Sequence, residues 1–150
     1  MRLKFVMMCR VHSATPGREP EGLTMKQQRT TKQLRAIQEV IESAGRPLSI
    51  DEIQNAASST VTSLGQRTVY RAVRRLEEDG FIARVNDPGG GERYELATVA
   101  AKHHHHFHCT SCDRFYDIEG CPGGLKEMMP DGFVLKHHEL MLSGLCKDCA

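Results

Sequence analysis

Four cysteines stand as two pairs, Cys109-x2-Cys112 and Cys146-x2-Cys149, with 33 residues between them. A two-residue spacing lets both thiolates of a pair reach one ion, and Zn2+ suits a tetrahedral cage of four thiolates. Four protein ligands leave no open position, so a metal held there would staple the fold and carry out no reaction. Reduced, unliganded thiols or a redox Cys-x2-Cys compete as readings of a single pair. Two pairs bracketing one short segment favour the zinc cage.

Directly before the first pair runs His103-His104-His105-His106-Phe107-His108, and seven of the eight histidines lie between 103 and 138. On a strand, alternate side chains point to opposite faces. His104 and His106 then share a face with His108, and His103 and His105 share the other, which makes two separate pairs of imidazole ligands. His137-His138-Glu139, expected on a later strand, completes either pair. The competing readings are a solvated histidine cluster or an affinity tag. A tag sits at a terminus, whereas this run is internal.

The elements that must position these groups follow from pattern and punctuation. Leu34, Ile37, Ile41 and Ala44 line one face of a helix that begins near Thr31; Gly45 ends it and Pro47 prevents its continuation. Ser49-x-x-Glu52 is a capping box for a second helix from about Ile50, with Ile53, Ala56 and Ala57 facing inward. Ser63-x-x-Gln66 is the expected cap of a third helix, whose apolar stripe is Val69, Ala72, Val73 and Leu76. Its opposite face carries Arg67, Tyr70, Arg71 and Arg74, and Gly80 stops it. Phe81–Val85 alternates as a strand, a glycine-rich turn follows, and Arg93-Tyr94-Glu95-Leu96 returns as its partner. Three helices and a hairpin form the winged helix-turn-helix order, in which the third helix enters the major groove. Arg can contact guanine edges or phosphate, and Tyr can contact phosphate or a thymine methyl. A merely solvated face is the alternative. Beyond Thr98–Lys102, read as a hinge, strands are expected at His103–Cys109, Arg114–Ile118 and Phe133–Leu142, with a short helix over Gly124–Met129.

Composition supports two jobs on one chain. Residues 24–86 carry 10 Lys/Arg against 7 Asp/Glu, and residues 87–150 carry 6 against 10. Each half has a size at which a core alone is marginal and a metal or a second subunit helps. Residues 1–23 contain Thr15-Pro16-Gly17 and Glu19-Pro20-Glu21-Gly22 and read as a disordered tail, or as a mis-called start with Met25 the initiator. Cys9-x2-His12 within them is at most half a metal site. The longest apolar run, Phe5–Cys9, is far short of the ~20 residues of a membrane span, and no signal-cleavage site follows it. A cytoplasmic protein without membrane contact is expected. The division is then 1–23 tail, 24–97 winged-helix unit, 98–102 hinge and 103–150 metal-binding dimerisation unit.

Thr68-Val69-Tyr70-Arg71, Leu76-Glu77-x2-Gly80, the glycine-rich hairpin ending in Tyr94-Glu95-Leu96, the histidine run into Cys109-x2-Cys112, and Gly144-Leu145-Cys146-x2-Cys149 occur in this order. Over about residues 26–149 the chain closely resembles the ferric uptake regulator (Fur) family of bacterial metal-responsive repressors. The resemblance implies an α+β chain: an N-terminal winged helix and a small C-terminal α/β dimerisation domain. It also implies a homodimer that binds pseudo-palindromic double-stranded operators with metal as corepressor. Position by position, Cys109, Cys112, Cys146 and Cys149 match the family's structural Zn2+ site. Glu95, His104 and His106 match its regulatory site, while His103, His105 and His138 match a further site. Asp117, where some members place a carboxylate ligand, and Cys121 are grouped with that further site.

Two departures bear on the metal. Many members donate a histidine from just before the second helix, where this chain has Arg46-Pro47, and no histidine occurs from residue 13 to 102. Cys121 falls near where members supply a Glu to the further site; as a ligand it favours Zn2+ over Fe2+ or Mn2+ and the zinc-sensing, Zur-like subtype. An unliganded Cys121 is the alternative. The regulatory ion is then Zn2+ or Fe2+, with Mn2+ behind both. A zinc hydrolase is opposed by the absence of His-Glu-x-x-His and of a general base. A zinc-stapled DNA-binding protein that senses no metal and a peroxide-sensing family member complete the alternatives; the missing histidine of the first half argues against the last.

Overall fold

The computed structural model describes residues 25–87 and 89–150. The expected tail, with Cys9 and His12, lies outside the described residues. The chain is α+β. Helix α1 spans Met25–Ala44, strand β1 Leu48–Ser49, α2 Ile50–Ser58 and α3 Gln66–Glu78. Strands β2 (Ile82–Val85) and β3 (Arg93–Leu96) form a hairpin, and β1 adds to it in the order β1-β3-β2. A one-turn helix, α4 (Ala97–Ala100), overlaps the segment 98–102 expected to be a hinge. A second sheet follows, made of β4 (His104–Cys109), β5 (Phe115–Glu119) and β6 (Met141–Gly144) in the order β5-β4-β6.

Helical spacing places the first core. Ile37 and Ile41 of α1, Ile53 and Ala57 of α2, and Val69, Val73 and Leu76 of α3 are buried together with Tyr94 of β3. Gly45 adopts φ 60°, the left-handed conformation that ends a helix and that glycine takes without strain. The capping box of α2 forms in full: the Glu52 N–H donates to Ser49 Oγ at 3.2 Å, and the Ser49 N–H donates to Glu52 Oε2 at 2.9 Å. Such a cap contributes about 1 kcal/mol.

Several expectations about local structure fail for identifiable reasons. Ala56 is exposed, because a nine-residue helix with Ile53 and Ala57 inward turns position 56 to solvent. Ser63 does not cap α3: it sits at φ 62°, and Gly65 occupies the cap position with no side-chain bond. Residues 124–129 form turns and no helix. Of the strand expected over 133–142, only the end is a strand, because β6 begins at Met141, where it pairs in parallel with His106 of β4. Across that pairing Gly144 lies against the Phe107 ring, which a Cβ would meet at 3.3 Å.

Candidate metal centres

Strand β4 and His103 just before it carry both histidine pairs, and their alternation separates them as the sequence predicts. His104 and His106 meet Glu95 and Asp117, with one donor atom of each within 4.8 Å of the others. His103 and His105 meet Cys121 and His138 under the same limit. Cys109, Cys112, Cys146 and Cys149 form the third group of this kind.

The thiol group has the dimensions of a zinc cage. Cys112 Sγ and Cys146 Sγ are 3.8 Å apart, and bonds of about 2.3 Å to one tetrahedral ion require edges of about 3.8 Å. The Cys146 N–H donates to Cys109 Sγ at 3.3 Å. Backbone N–H groups, of Cys112 first and then of Cys146, lower the Cys109 thiol to about 6, so a thiolate is available at neutral pH. Cys149 is pushed up to about 12; a hydrogen bond with Ser111 opposes the shift, but the neighbouring thiols Cys146 and Cys112 outweigh it. Four negative charges gather here only around a cation, and the donor set fits Zn2+.

The second group joins the two sheets. Glu95 belongs to β3 of the N-terminal sheet, and its Oε2 lies 3.3 Å from His104 Nε2 and 3.6 Å from His106 Nε2. His106 Nε2 is 3.8 Å from Asp117 Oδ1, and the two imidazole Nε2 atoms are 3.1 Å apart. Edges of this size suit a tetrahedral ion with bonds of ~2.0–2.2 Å to nitrogen and oxygen. The Lys102 carbonyl accepts from His104 Nδ1 at 2.7 Å. That bond fixes the tautomer and leaves the Nε2 lone pair facing the group.

Glu95 Oε2 and Asp117 Oδ1 are buried and accept no hydrogen bond among the described residues. Leaving such an atom unpaired costs about 1–3 kcal/mol or more, which a coordinated cation would remove. Burial, and then the nearby Glu95 charge, hold the Asp117 carboxyl above its ordinary range. Burial opposes the imidazolium of His104, yet the Lys102 carbonyl and the Glu95 and Asp117 carboxylates together raise it. Both shifts favour the protonated form of the group at this centre.

Asp117 corrects one assignment. The sequence grouped it with the further site, but β4 and β5 pair antiparallel with His106 directly opposite Asp117. Directly opposed residues share a face, so Asp117 joins His106.

The third group is the most exposed. Cys121 Sγ lies 2.8 Å from His103 Nε2, 3.5 Å from His105 Nε2 and 3.2 Å from His138 Nε2. Burial, followed by the neighbouring His103 and His138, pushes His105 down and keeps its imidazole neutral, as a ligand must be. One thiolate and three imidazoles fit a closed tetrahedral site. His138 reaches it from an irregular segment and not from a strand. His137 joins neither histidine pair; it faces Glu139 at 3.5 Å. His108 leaves the face it shares with His104 and His106 to bond Asp113 at 2.7 Å.

On α3, Arg67, Tyr70, Arg71 and Arg74 are all exposed, opposite the buried Val69, Val73 and Leu76. Arg74 Nε is 2.9 Å from Glu78 Oε1, whereas Arg67 and Arg71 make no ion pair among the described residues. Arg46, where a family histidine was missing, pairs with Glu52 at 2.7 Å.

These residues and their order match a known profile: the Ferric uptake regulator family, over residues 25–143. The chain belongs to that family. Members of the Fur family are metal-responsive transcription regulators and not enzymes. The chain is similar to the ferric uptake regulation protein of Bordetella parapertussis, 31% identical over 69% of this chain and 76% of that protein. It is 25% identical to the peroxide-responsive repressor PerR of Staphylococcus saprophyticus, over 81% of this chain and 82% of that one. Among solved structures, the Helicobacter pylori ferric uptake regulator, described as revealing three functional metal binding sites, superposes with a TM-score of 0.57. It is 25% identical to this Fur-family chain, with 79% of each covered. No described helix is long and apolar enough to cross a membrane.

Sequence reasoning missed one part of this region, a buried arginine on β3. Arg93 is 3% exposed and bonds to Asp113 in the turn after Cys112. Twenty residues separate the partners, and no local pattern announces the pair.

Proposed function

We propose that this chain is a metal-dependent DNA-binding repressor of metal-homeostasis genes that acts as a homodimer on a pseudo-palindromic operator. In this reading residues 24–97 are the winged-helix DNA-binding unit, 98–102 the connection and 103–150 the dimerisation unit. Cys109, Cys112, Cys146 and Cys149 hold a structural Zn2+. Glu95, His104, His106 and Asp117 hold the regulatory ion, Zn2+ or Fe2+ in preference to Mn2+. His103, His105, Cys121 and His138 hold a further ion, and the thiolate leans that site toward Zn2+. Three groups of ligands accord with the three metal sites described for the Helicobacter pylori relative.

The observation that carries the reading is the position of Glu95. It lies next to the end of the hairpin strand that would form the wing, yet its carboxylate faces two imidazoles of the other sheet. A divalent cation bound there supplies the positive charge that both carboxylates lack. Glu95 is then drawn to His104 and His106, and with it the hairpin and the α3 packed beneath it. Fixing both recognition helices of a dimer at half-site spacing makes metal and DNA strengthen each other's binding, by a typical coupling of ~1–3 kcal/mol. Arg67, Tyr70, Arg71 and Arg74 supply the DNA-facing surface. Val134, Leu142 and Leu145 are large apolar side chains left exposed in one chain, which supports a second copy covering them.

The test is DNA affinity by fluorescence anisotropy on the promoter of the protein's own gene. Free Zn2+, Fe2+ and Mn2+ are buffered separately without oxygen at fixed salt. Tight binding with one ion establishes the regulator and names its corepressor. Equal binding with chelator and with every ion leaves a zinc-stapled DNA-binding protein and ends the sensor reading.

A further inference from the structure

The N-terminal sheet is fastened to the C-terminal sheet at two points on β3. Arg93 and Glu95 are two residues apart on that strand and point to the same side. Glu95 reaches the imidazole pair, and Arg93 reaches the turn that closes the first cysteine pair. Arg93 Nη2 donates to Asp113 Oδ2 at 2.7 Å, and its guanidinium lies over the Phe115 ring, 4.1 Å from the centroid. Arg93 Nε is 3.3 Å from Asp87 Oδ2. The other Asp113 oxygen, Oδ1, is 2.7 Å from His108 Nε2. Asp113 itself sits at φ 58°, and its N–H donates to the Cys109 carbonyl at 2.9 Å. One carboxylate thus bridges the cysteine turn, the last histidine of β4 and the hairpin strand.

We infer that Asp113, through Arg93, positions Glu95 at the regulatory centre before the metal arrives, so that the cysteine turn and the regulatory centre are coupled. This rests on reading Glu95, His104, His106 and Asp117 as that centre. The two attachments differ in kind. The regulatory one needs an ion to balance its charges, whereas the other is already held by a fixed cation, Arg93, which pairs with Asp113, Asp87 and Glu52. With Arg93 held, Glu95 loses less freedom when metal binds than an untethered carboxylate would, and pre-organisation of this sort shows as affinity. Asp113 is a positioning residue: it touches neither the imidazole pair nor Glu95.

The backbone angle supplies clean variants. Glycine adopts φ 58° without strain, so Asp113→Gly removes the carboxylate and spares the turn. Asparagine also favours that region, and Asp113→Asn keeps an oxygen that can accept from Arg93 while losing the charge. The probe is Mn2+, which avoids thiolate sites. It is titrated, with detection by electron paramagnetic resonance, into the full-length protein carrying one Zn2+ per chain, the ion of the cysteine group.

The expected result is full zinc in both variants and a Mn2+ affinity about tenfold weaker in Asp113→Gly, within the range of linked sites. Asp113→Asn should fall between that variant and the parent. Amide exchange in the β2–β3 hairpin of the Mn2+-free protein should speed up in the same order. Equal Mn2+ affinity in all three chains overturns the coupling, and so does loss of zinc from Asp113→Gly, which would make Asp113 part of the cysteine turn alone. Glu95→Gln separates the two levels. If it binds Mn2+ as the parent does, or the parent takes up none, the regulatory centre itself is misassigned and the coupling falls with it.

Discussion

Glu95 and Asp117 stand on strands of two different sheets, yet each turns a buried oxygen without a hydrogen-bond donor toward the same two imidazoles. Two such carboxylates tolerate each other only with positive charge between them. Asp117 and His104 are both held above their ordinary values, so each keeps its proton to higher pH than usual.

Metal uptake at this centre should therefore release protons. For both groups the raised value means that the proton is retained to higher pH than usual, and metal must displace it. Affinity is expected to fall with acid, beginning at a higher pH than unperturbed His and Asp would give. Calorimetric titration in two buffers of different ionisation enthalpy measures the protons released. Heats that do not depend on buffer would show that neither group changes protonation.

Replacing both His104 and His106 by Ala should separate response from fold. Neither residue touches the cysteine group, so zinc content and the folded dimer are expected to survive. The metal dependence of DNA binding, about 5–150-fold for a typical coupling, should disappear. Collapse of the dimer in this variant, followed by sedimentation and zinc analysis, would mean that one set of ligands serves both roles.

The two histidine pairs were legible because alternation along a strand has period two and depends only on neighbouring residues. The thiol cage was legible because each pair of ligands is local. Asp117 went to the wrong group because its face is set by the β4–β5 register, which pairs residues 106 and 117 and is a tertiary fact. Ser63 looked like a cap by spacing, but its left-handed backbone removes it from that position. Residues 124–140 misled the reading for a related reason. Their apolar positions, some exposed and some half-buried, lie on turns and irregular chain, where periodicity does not report which side is covered. Arg93 was invisible for want of any cue to its burial: a charged residue on a hairpin normally faces water.

Cys121 separates the further site from an ordinary imidazole and carboxylate site. Co2+ bound to His103, His105, His138 and a thiolate should show an intense sulfur-to-metal absorption in addition to that of the cysteine cage. With zinc left in the cage, Cys121→Ser is expected to remove that band and to lower Co2+ affinity at this site by about 10–100-fold. An unchanged spectrum would return Cys121 to a free thiol and leave three histidines holding the ion.

The face of α3 offers a test that distinguishes two of its arginines. Arg74 is held by Glu78 one helical turn away, both side chains well exposed. An exposed pair of this kind is worth at most ~1 kcal/mol, so DNA phosphate can compete for Arg74 but must first break it. Arg71 carries no such partner among the described residues, so in the proposed complex no ion pair has to break before it reaches DNA. Arg71→Ala should therefore weaken operator binding more than Arg74→Ala does, with metal content unchanged in both. If Arg71 contacts phosphate, the loss will be uniform across sequences and the salt slope will fall by about 1. If it reads a base edge, the loss will be ~1–3 kcal/mol on the operator and small on random DNA. Anisotropy titrations at several salt concentrations, on operator and on random duplex, decide between these, and unchanged affinity on both would remove α3 from the interface.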